Sequence, residues 1–141
     1  MHNNPAPEEI RDMLHAVKTI AVVGFSPKPD RPSYRVARAM QQCGYRIIPV
    51  RPMLSDGLGE RAYASLRELH GELNAAPDLV DVFRASDAVD EIVDDCIAIG
   101  AKRLWLQEGV INDAAAARAR AAGITVVMDR CVWKEWRALL A

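Results

Sequence analysis

Cationic and hydroxyl side chains follow a short apolar run near the start of the chain, in the stretch TIAVVGFSPKPDRPS (residues 19–33). The apolar run ends at Gly24, and Ser26, Lys28 and Arg31 come soon after it. Hydroxyl, ammonium and guanidinium groups bind phosphate oxygens through hydrogen bonds and through charge. This stretch therefore predicts a site for a phosphate-bearing ligand.

The glycine spacing of the common nucleotide-binding loops is missing here. A dinucleotide fingerprint, G-x-G-x-x-G, lets the backbone approach a pyrophosphate, but Ser26 and Pro29 occupy the second and third glycine positions. No G-x-x-x-x-G-K-[ST] motif occurs either. Arg51 follows the second apolar run, where an NAD-binding protein carries the acidic residue that holds the ribose diol. A simple NAD site is thus disfavoured, and a ligand with a pyrophosphate and a separate ribose phosphate fits better.

These residues must be positioned by an alternation of strands and helices that runs along the whole chain. Five short apolar runs are typical of strands: TIAVVG, YRIIPV, LVDVF, RLWLQ and ITVVM. Helical segments separate them, and an amphipathic N-terminal helix within residues 1–17 precedes them. This order favours a parallel sheet with helices on both faces. We expect a single α/β domain, residues 1–141, that is Rossmann-like and doubly wound, with a five-stranded, mainly parallel sheet.

Residue types at the element ends predict how the elements begin and pack. Four helices are predicted to start at a side chain that caps backbone N–H groups: Ser33, Ser65, Ser86 and Asn112. Pro49 lacks a ladder donor, which predicts either an edge position for the second strand or the end of that strand. In the helix DAVDEIVDDCIAIG, the side chains predicted to face the core are Val89, Ile92, Val93, Cys96 and Ile97.

Basic residues concentrate just after the predicted strands, where ligands bind in sheets of this class. They are Lys28, Arg31, Arg51, Arg84 and Arg130. Residues 1–52 carry eight Lys and Arg against four Asp and Glu, which favours an anionic ligand but is too weak for a nucleic-acid interface. The Ser26 hydroxyl and the amides opening the helix at Ser33 suit a pyrophosphate. Arg51 suits a ribose phosphate through its bidentate fork.

Five segments of the chain together resemble the small stand-alone coenzyme A-binding proteins of bacteria. They are IAVVGFSPKPDRPSYRVARAMQQCGYRIIPVRP, GERAYASL, DLVDVFR, GAKRLWLQEGV and VVMDRC, within residues 14–131. The fold of that family is similar to the N-terminal CoA-binding domain of the succinyl-CoA synthetase α subunit. The resemblance implies that CoA or acyl-CoA lies along the carboxyl edge of the sheet of a small binding, carrier or sensor protein.

The resemblance also implies which residues contact CoA. The turn from Gly24 to Lys28 would meet the pyrophosphate, and Arg51 would lie near the phosphorylated ribose, where the family often has asparagine. The residues after the third strand would border the adenine. The full candidate set is Gly24, Phe25, Ser26, Lys28, Arg31, Ser33, Arg51, Val82, Phe83 and Arg84. We expect the second domain of the synthetase, with its phosphorylated histidine, to be absent, so the ligase activity is not carried over.

Other functions stay open on the sequence alone. Cys131 or Glu108 would carry the chemistry of an enzyme acting on a CoA thioester, and Cys131 would form a mixed disulfide if it met the CoA thiol. A nicotinamide- or nucleotide-sensing regulator is a third alternative, although fold alone does not establish function. Neither the acyl group nor the biological role of CoA binding follows from the sequence.

Composition limits the setting of the protein. Three cysteines without paired spacing and an N-terminus unlike a secretory signal predict a cytoplasmic protein. No apolar run approaches the ~18–20 residues that span a membrane, and the three histidines are isolated, so neither a membrane nor a metal is expected as a partner. The oligomeric state is open, with a homodimer through Trp133 or Trp136 as one alternative.

Overall fold

A computed structural model describes all 141 residues of the chain. Its seven strands are β1 (Thr19–Val23), β2 (Arg46–Val50), β3 (Asp56–Gly57), β4 (Glu60–Arg61), β5 (Leu79–Val82), β6 (Arg103–Leu106) and β7 (Thr125–Met128). Five of them form a parallel sheet in the order β2-β1-β5-β6-β7, while β3 and β4 form a separate hairpin. The predicted five-stranded parallel sheet is confirmed. Because β2 and β5 flank β1, the strand order reverses at β1 and β5 and leaves a crevice at their carboxyl ends.

Helices cover both faces of this sheet. They are α1 (Pro7–Ala16), α2 (Pro32–Gln42), α3 (Leu66–Leu73), α4 (Val89–Ile99), α5 (Asp113–Ala121) and α6 (Val132–Leu139). Successive strand side chains point to opposite faces, so Val23 of β1 joins a core with α3, α4 and α5, whereas Val22 joins a second core with α1, α2 and α6. This is the predicted doubly wound arrangement.

Strand β2 lies at an edge of the sheet, the first of the two alternatives that Pro49 predicts. On its outer side, the N–H of Tyr63 donates to the Pro49 carbonyl oxygen at 3.1 Å, and the Arg51 N–H donates to the Tyr63 carbonyl oxygen at 2.9 Å. The segment that contains the β3–β4 hairpin therefore covers the open edge, which protects it from pairing with other chains. The sequence predicts only a loop in this segment, because two-residue strands are too short for an alternating pattern.

Two of the four predicted helix caps are confirmed. Ser65 Oγ accepts a hydrogen bond from the Glu68 N–H at 3.1 Å, and Asn112 Oδ1 accepts one from the Ala115 N–H at 3.0 Å. The Glu68 carboxylate reaches back to the Ala64 N–H at 3.3 Å. Helices α3 and α5 thus begin where side-chain acceptors compensate for the N–H groups that have no partner inside the helix.

The predicted caps at Ser33 and Ser86 are wrong. Helix α2 already begins at Pro32, because proline lacks an N–H and has the φ that the first helical turn requires. The Ser33 hydroxyl instead accepts a hydrogen bond from the Ser26 N–H at 2.9 Å. Ser86 lies in a short 3-10 turn before α4, and its hydroxyl accepts a hydrogen bond from the Ile111 N–H at 2.9 Å. Both hydroxyls hold a neighbouring loop instead of capping their own helix.

Helix α4 buries its predicted apolar face with one exception. Ile97 is 45% exposed, whereas Ile99, which the sequence does not single out, is 7% exposed. At about 100° per residue, Ile97 lies roughly 90° from the centre of the buried face and Ile99 roughly 70° from it. The prediction that Ile97 faces inward is therefore wrong, and the buried stripe of α4 extends to the other side.

Candidate functional site

A cavity of about 980 Å³ opens at the carboxyl ends of β1, β2, β5 and β6. Its wall includes eight of the ten candidate residues predicted from the sequence: Gly24, Ser26, Lys28, Arg31, Ser33, Arg51, Phe83 and Arg84. Its volume lies near the upper end of the range for small-molecule sites, about 300–1,000 Å³. The structure thus brings residues from separate loops to one concave surface.

Four exposed cations rim this cavity. Lys28 and Arg31 follow β1, Arg51 follows β2, and Arg84 follows β5. None of them belongs to an ion pair, although seven surface ion pairs occur elsewhere in the chain. No Asp or Glu occurs between Asp30 and Asp56, and the carboxylates of the cavity wall, Glu91, Asp95 and Glu108, come from α4 and from the loop after β6. An unpaired group of cations in a concave site attracts and concentrates anionic ligands.

Gly24 allows the loops after β1 and β5 to approach each other. Its φ is +84°, and a Cβ built on it would lie 2.4 Å from the Phe83 carbonyl oxygen and 2.9 Å from Arg84 Cδ. Two backbone hydrogen bonds hold these loops against the sheet. The Gly24 N–H donates to the Val50 carbonyl oxygen at 3.0 Å, and the Phe83 N–H donates to the Val23 carbonyl oxygen at 2.8 Å. Only glycine fits this floor of the cavity without strain.

Two serines hold the turn that follows Gly24. The Ser26 N–H donates to Ser33 Oγ at 2.9 Å, and the Lys28 N–H donates to Ser26 Oγ at 3.2 Å. Both hydroxyls therefore accept backbone hydrogen bonds while keeping their own hydrogens free to donate. Next to them, the positive end of the α2 macrodipole adds to the charge of Lys28.

Arg51 lies across the crevice from this turn. Its Nη1 is 3.5 Å from the Phe25 carbonyl oxygen, which orients the guanidinium toward the turn, and its backbone is held by Tyr63. The long contact leaves most of the guanidinium donors free. Arg51 and Lys28 follow different strands and line one cavity, so they can contact two anionic groups of one ligand.

The side chains of Phe25 and Val82 do not reach the cavity. Both are fully buried. The Phe25 ring packs against Tyr34 in the core under α2, with 5.9 Å between the ring centroids, and Val82 belongs to the core on the other face of the sheet. Phe83, one residue further, is half-buried and does line the cavity.

The wall that α3 and α4 contribute is not predicted from the sequence. The residues concerned are Ala64, Ser65, Leu66, Ala88, Glu91, Ile92 and Asp95. Both helices begin at the carboxyl edge of the sheet and pack on the same face, so their first turns border the crevice. The predicted helix starts at Ser65 and near Val89 could have indicated these residues, because the first turns of helices in such folds lie near the ends of the strands.

Glu108 and Asp129 are engaged in contacts of their own, whereas Glu91, an exposed residue of the cavity wall, has no side-chain partner. Glu108 forms an ion pair with Lys134 at 3.1 Å, and Asp129 Oδ1 accepts a hydrogen bond from the Gly109 N–H at 2.8 Å. The Arg130 side chain pairs with neither of these carboxylates, since it lies 3.8 Å from Glu135 and its Nη1 donates to the backbone oxygen of Asp129. No group of three or more His, Cys, Asp or Glu side chains is arranged to hold a metal ion.

Cys131 does not line the cavity. It is buried, with 6% of its surface exposed, and directly precedes α6. Cys96 is buried in the core, where desolvation raises its thiol pKa to about 12. Burial also raises the pKa of Cys43, which is half-buried at the end of α2.

One buried carboxyl lies under the cavity and is not singled out by the sequence pattern. Asp81, in the middle of the apolar strand β5, is 1% exposed and accepts a hydrogen bond from Gln107 Nε2 at 2.7 Å. Desolvation raises the pKa of Asp81 to about 7, although the hydrogen bonds from Gln107 and from the Val82 backbone lower it in part. Gln107 itself lines the cavity.

Comparison with known families decides the class of this protein. Residues 18–137 match the CoA binding domain family. The chain belongs to this family. The resemblance noted from the sequence motifs is therefore confirmed, and CoA binding is the general property that the domain brings.

Relatives of this CoA binding domain protein have similar lengths and folds. It is 40% identical over 129 residues to the uncharacterized protein YneT of Bacillus subtilis (strain 168), which is 92% of this chain and 93% of that protein. A hypothetical protein from Pyrococcus horikoshii OT3 superimposes with a TM-score of 0.89 at 32% identity over 100% of both chains. The cell-free ID.343 protein from Thermus thermophilus gives a TM-score of 0.86 at 34% identity, over 96% of this chain and 100% of that one.

The matched region contains the whole candidate site. Every residue that lines the cavity lies within residues 18–137, whereas α1 lies outside them. Among the helices of this CoA binding domain protein, none combines the length and the apolar character that crossing a bilayer requires.

Proposed function

We propose that this protein binds CoA or an acyl-CoA in the cavity at the carboxyl edge of the sheet, as a small cytoplasmic binding, carrier or sensor protein without ligase activity. The observation that carries the proposal is the group of four unpaired cations that rim one cavity around a glycine turn. CoA has a pyrophosphate and a separate 3′-phosphate, so it needs cations at more than one point of its site.

The contacts of the ligand follow from this arrangement. The pyrophosphate lies against the turn from Gly24 to Lys28 and the start of α2, where N–H donors, hydroxyls and the helix dipole favour anions. Arg51 contacts the 3′-phosphate of the ribose from the β2 side. Phe83 and Arg84 border the adenine, the first by packing and the second by stacking its guanidinium plane.

A binding role is favoured over catalysis by the contacts of Glu108 and Asp129, the carboxylates that follow strands at this edge of the sheet. Glu108 is held by Lys134, and Asp129 by the Gly109 N–H. Catalysis on a thioester requires a nucleophile or a base within hydrogen-bond reach of the reacting group. Cys131, the candidate nucleophile among the residues after the strands, is buried away from the cavity wall.

Isothermal titration of the purified protein with CoA, dephospho-CoA and NAD tests the proposal. We expect CoA to bind most tightly, because dephospho-CoA lacks the 3′-phosphate and NAD lacks both this phosphate and the pantetheine arm. Arg51→Ala should weaken CoA binding by roughly ten- to a hundredfold, as expected for a hydrogen bond to a charged group, and should leave dephospho-CoA binding nearly unchanged. Equal affinities or no heat for all three ligands would overturn the proposal.

Arg38→Ala is the matched control for this experiment. Arg38 is an exposed, unpaired arginine of α2 that does not line the cavity. Its loss removes the same net charge from the same side of the molecule, so it reports the long-range electrostatic part alone. If it weakened CoA binding as much as Arg51→Ala does, the assignment of Arg51 to the 3′-phosphate would be wrong.

A further inference from the structure

A buried carboxyl group in the central sheet is linked to the cavity wall by one hydrogen bond, from the side chain of Gln107. Asp81 lies on β5 with 1% of its surface exposed, and its Oδ1 accepts a hydrogen bond from Gln107 Nε2 at 2.7 Å. Burying a carboxyl group in an apolar sheet costs stability, and an apolar residue would fill this position in the strand LVDV without that cost. The location therefore calls for a role other than packing.

The hydrogen bond fixes the orientation of the Gln107 amide. Gln107 Nε2 donates to Asp81 Oδ1, so the NH₂ end of the amide faces Asp81 and the carbonyl end faces away from it. The other end of the amide, Oε1, has no hydrogen-bond partner within the protein. Every fully buried side-chain nitrogen or oxygen of the chain does have a partner, so Oε1 is not fully buried. Gln107 Oε1 therefore keeps a small contact with solvent, although the residue as a whole is only 4% exposed, and Gln107 is a residue of the cavity wall.

We propose that Asp81 is a positioning residue: it holds Gln107 so that its carbonyl oxygen faces the cavity and accepts a hydrogen bond from an N–H group in the uncharged part of the ligand. The inference rests on the proposed function and names a further contact in the same site.

The position of Gln107 selects the uncharged part of the ligand. Gln107 follows β6, whereas Arg51 follows β2, and β1 and β5 lie between these strands. At about 4.8 Å per strand, the two residues are roughly 14 Å apart across the sheet. The cations lie on the β2, β1 and β5 loops, whereas the acidic residues of the wall are Glu91 and Asp95 of α4 and Glu108 next to Gln107, which disfavours a phosphate there. In CoA, the remaining N–H donors are the adenine amino group and the two pantetheine amides.

A double-mutant cycle in CoA affinity tests this role. The variants are Asp81→Leu, Gln107→Leu and the double variant, each measured by isothermal titration. We expect Asp81→Leu and Gln107→Leu each to weaken CoA binding about three- to tenfold, the size of one neutral hydrogen bond. The double variant should be no weaker than Gln107→Leu alone, because Asp81 acts through Gln107. Equal affinity in all four proteins, or additive losses in the double variant, would overturn the inference.

A conservative variant separates positioning from folding. Asp81→Asn keeps an acceptor for Gln107 Nε2, so we expect it to retain CoA affinity within about twofold of the unaltered chain. Thermal unfolding checks that each variant is folded. If Gln107→Leu does not fold, the CoA affinities of Asp81→Leu and Asp81→Asn still test the role of Asp81. Loss of affinity in Asp81→Asn equal to that in Asp81→Leu would contradict the proposed role.

Two fragments of the ligand identify the N–H donor. Adenosine 3′,5′-bisphosphate contains the adenine without the arm, and 4′-phosphopantetheine contains the arm without the adenine. The fragment whose binding is weakened by Asp81→Leu carries the donor, and the inference falls if neither is weakened. If the unaltered chain binds no CoA at all, the proposed function fails and this inference fails with it. If the unaltered chain binds CoA and every variant binds it equally tightly, only the inference fails.

Discussion

At the scale of single residues, position 24 requires glycine for two reasons, its backbone conformation and the space that a Cβ would occupy, and an experiment can separate them. Its φ of +84° is unfavourable for any other residue, and its absent Cβ leaves room for the Phe83 carbonyl oxygen. Gly123 has nearly the same φ, +86°, but a Cβ added there would have nothing within 4 Å. The pair thus distinguishes backbone strain from steric contact.

Gly24→Ala is expected to lower the free energy of unfolding well beyond about 2 kcal/mol, whereas Gly123→Ala should lower it by only about 1–2 kcal/mol, the cost of a left-handed backbone. The additional loss at Gly24 arises because the β1 and β5 loops must separate. Urea unfolding of both variants measures the difference. Similar losses in the two variants would show that the close approach of the loops contributes little.

Asp81 makes stability depend on pH in a predictable direction. Burial raises its pKa to about 7, above the value of about 3.9 in an unfolded chain. The protonated form is therefore favoured by folding: its contribution is complete below about pH 3.9 and is lost as the pH rises through about 7.

The free energy of unfolding of the natural chain should consequently fall, relative to that of Asp81→Asn, by a few kcal/mol between about pH 4 and pH 8. Asparagine does not titrate, and every other titratable group is common to both proteins. The difference between their free energies of unfolding therefore reports the titration of Asp81 alone. Urea titrations of both proteins at several pH values measure this difference. Parallel stability curves for the two proteins would contradict the prediction.

At the scale of elements, the start of α2 connects the fold to the site. The Ser33 side chain holds the Ser26 N–H and thereby the turn that faces the proposed pyrophosphate. Ser33→Ala removes this acceptor, so we expect a loss of about 1 kcal/mol in stability together with weaker CoA binding from a less ordered turn.

Asn112→Ala provides the matched control for Ser33→Ala. Asn112 also accepts one backbone hydrogen bond, at the start of α5 and away from the cavity wall. Its Nδ2 donates in addition to the Ser86 carbonyl oxygen and to Asp90 Oδ2, so its loss should cost more than the ~1 kcal/mol of a cap alone. Thermal unfolding and CoA titration of both variants should show the larger stability loss for Asn112→Ala but weaker binding only for Ser33→Ala. Unchanged CoA affinity in Ser33→Ala would contradict a role for the turn in binding.

At the scale of the whole molecule, the chain has a formal net charge of −1, yet its cavity is rimmed by unpaired cations. We expect CoA affinity to fall steeply between 0.1 M and 1 M NaCl, because the Debye length shortens from about 10 Å to about 3 Å. Pantetheine, which is uncharged, provides the control ligand. Salt-independent CoA affinity would argue against binding through phosphates.

Much of this molecule follows from local pattern. Apolar runs predict all five strands of the sheet, because a strand buried on both faces needs apolar side chains throughout. Lys28, Arg51 and Arg84 follow different strands, and their convergence was predictable because parallel strands end at the same edge of the sheet. The caps at Ser65 and Asn112 were predictable because capping depends only on nearby backbone.

Other features depend on which segments meet in space, and no local pattern encodes that. Ser33 and Ser86 carry the residue type of a cap, but the loop before α2 takes the hydroxyl of Ser33 and a loop 25 residues away takes that of Ser86. Phe25 follows a strand as a site residue does, yet packing against Tyr34 buries it. Asp81 is one polar residue in an apolar strand, and only the neighbouring strand supplies Gln107 as its partner. Residue order alone therefore specifies the sheet and the charge at its edge, whereas tertiary packing selects the side chains that face the cavity.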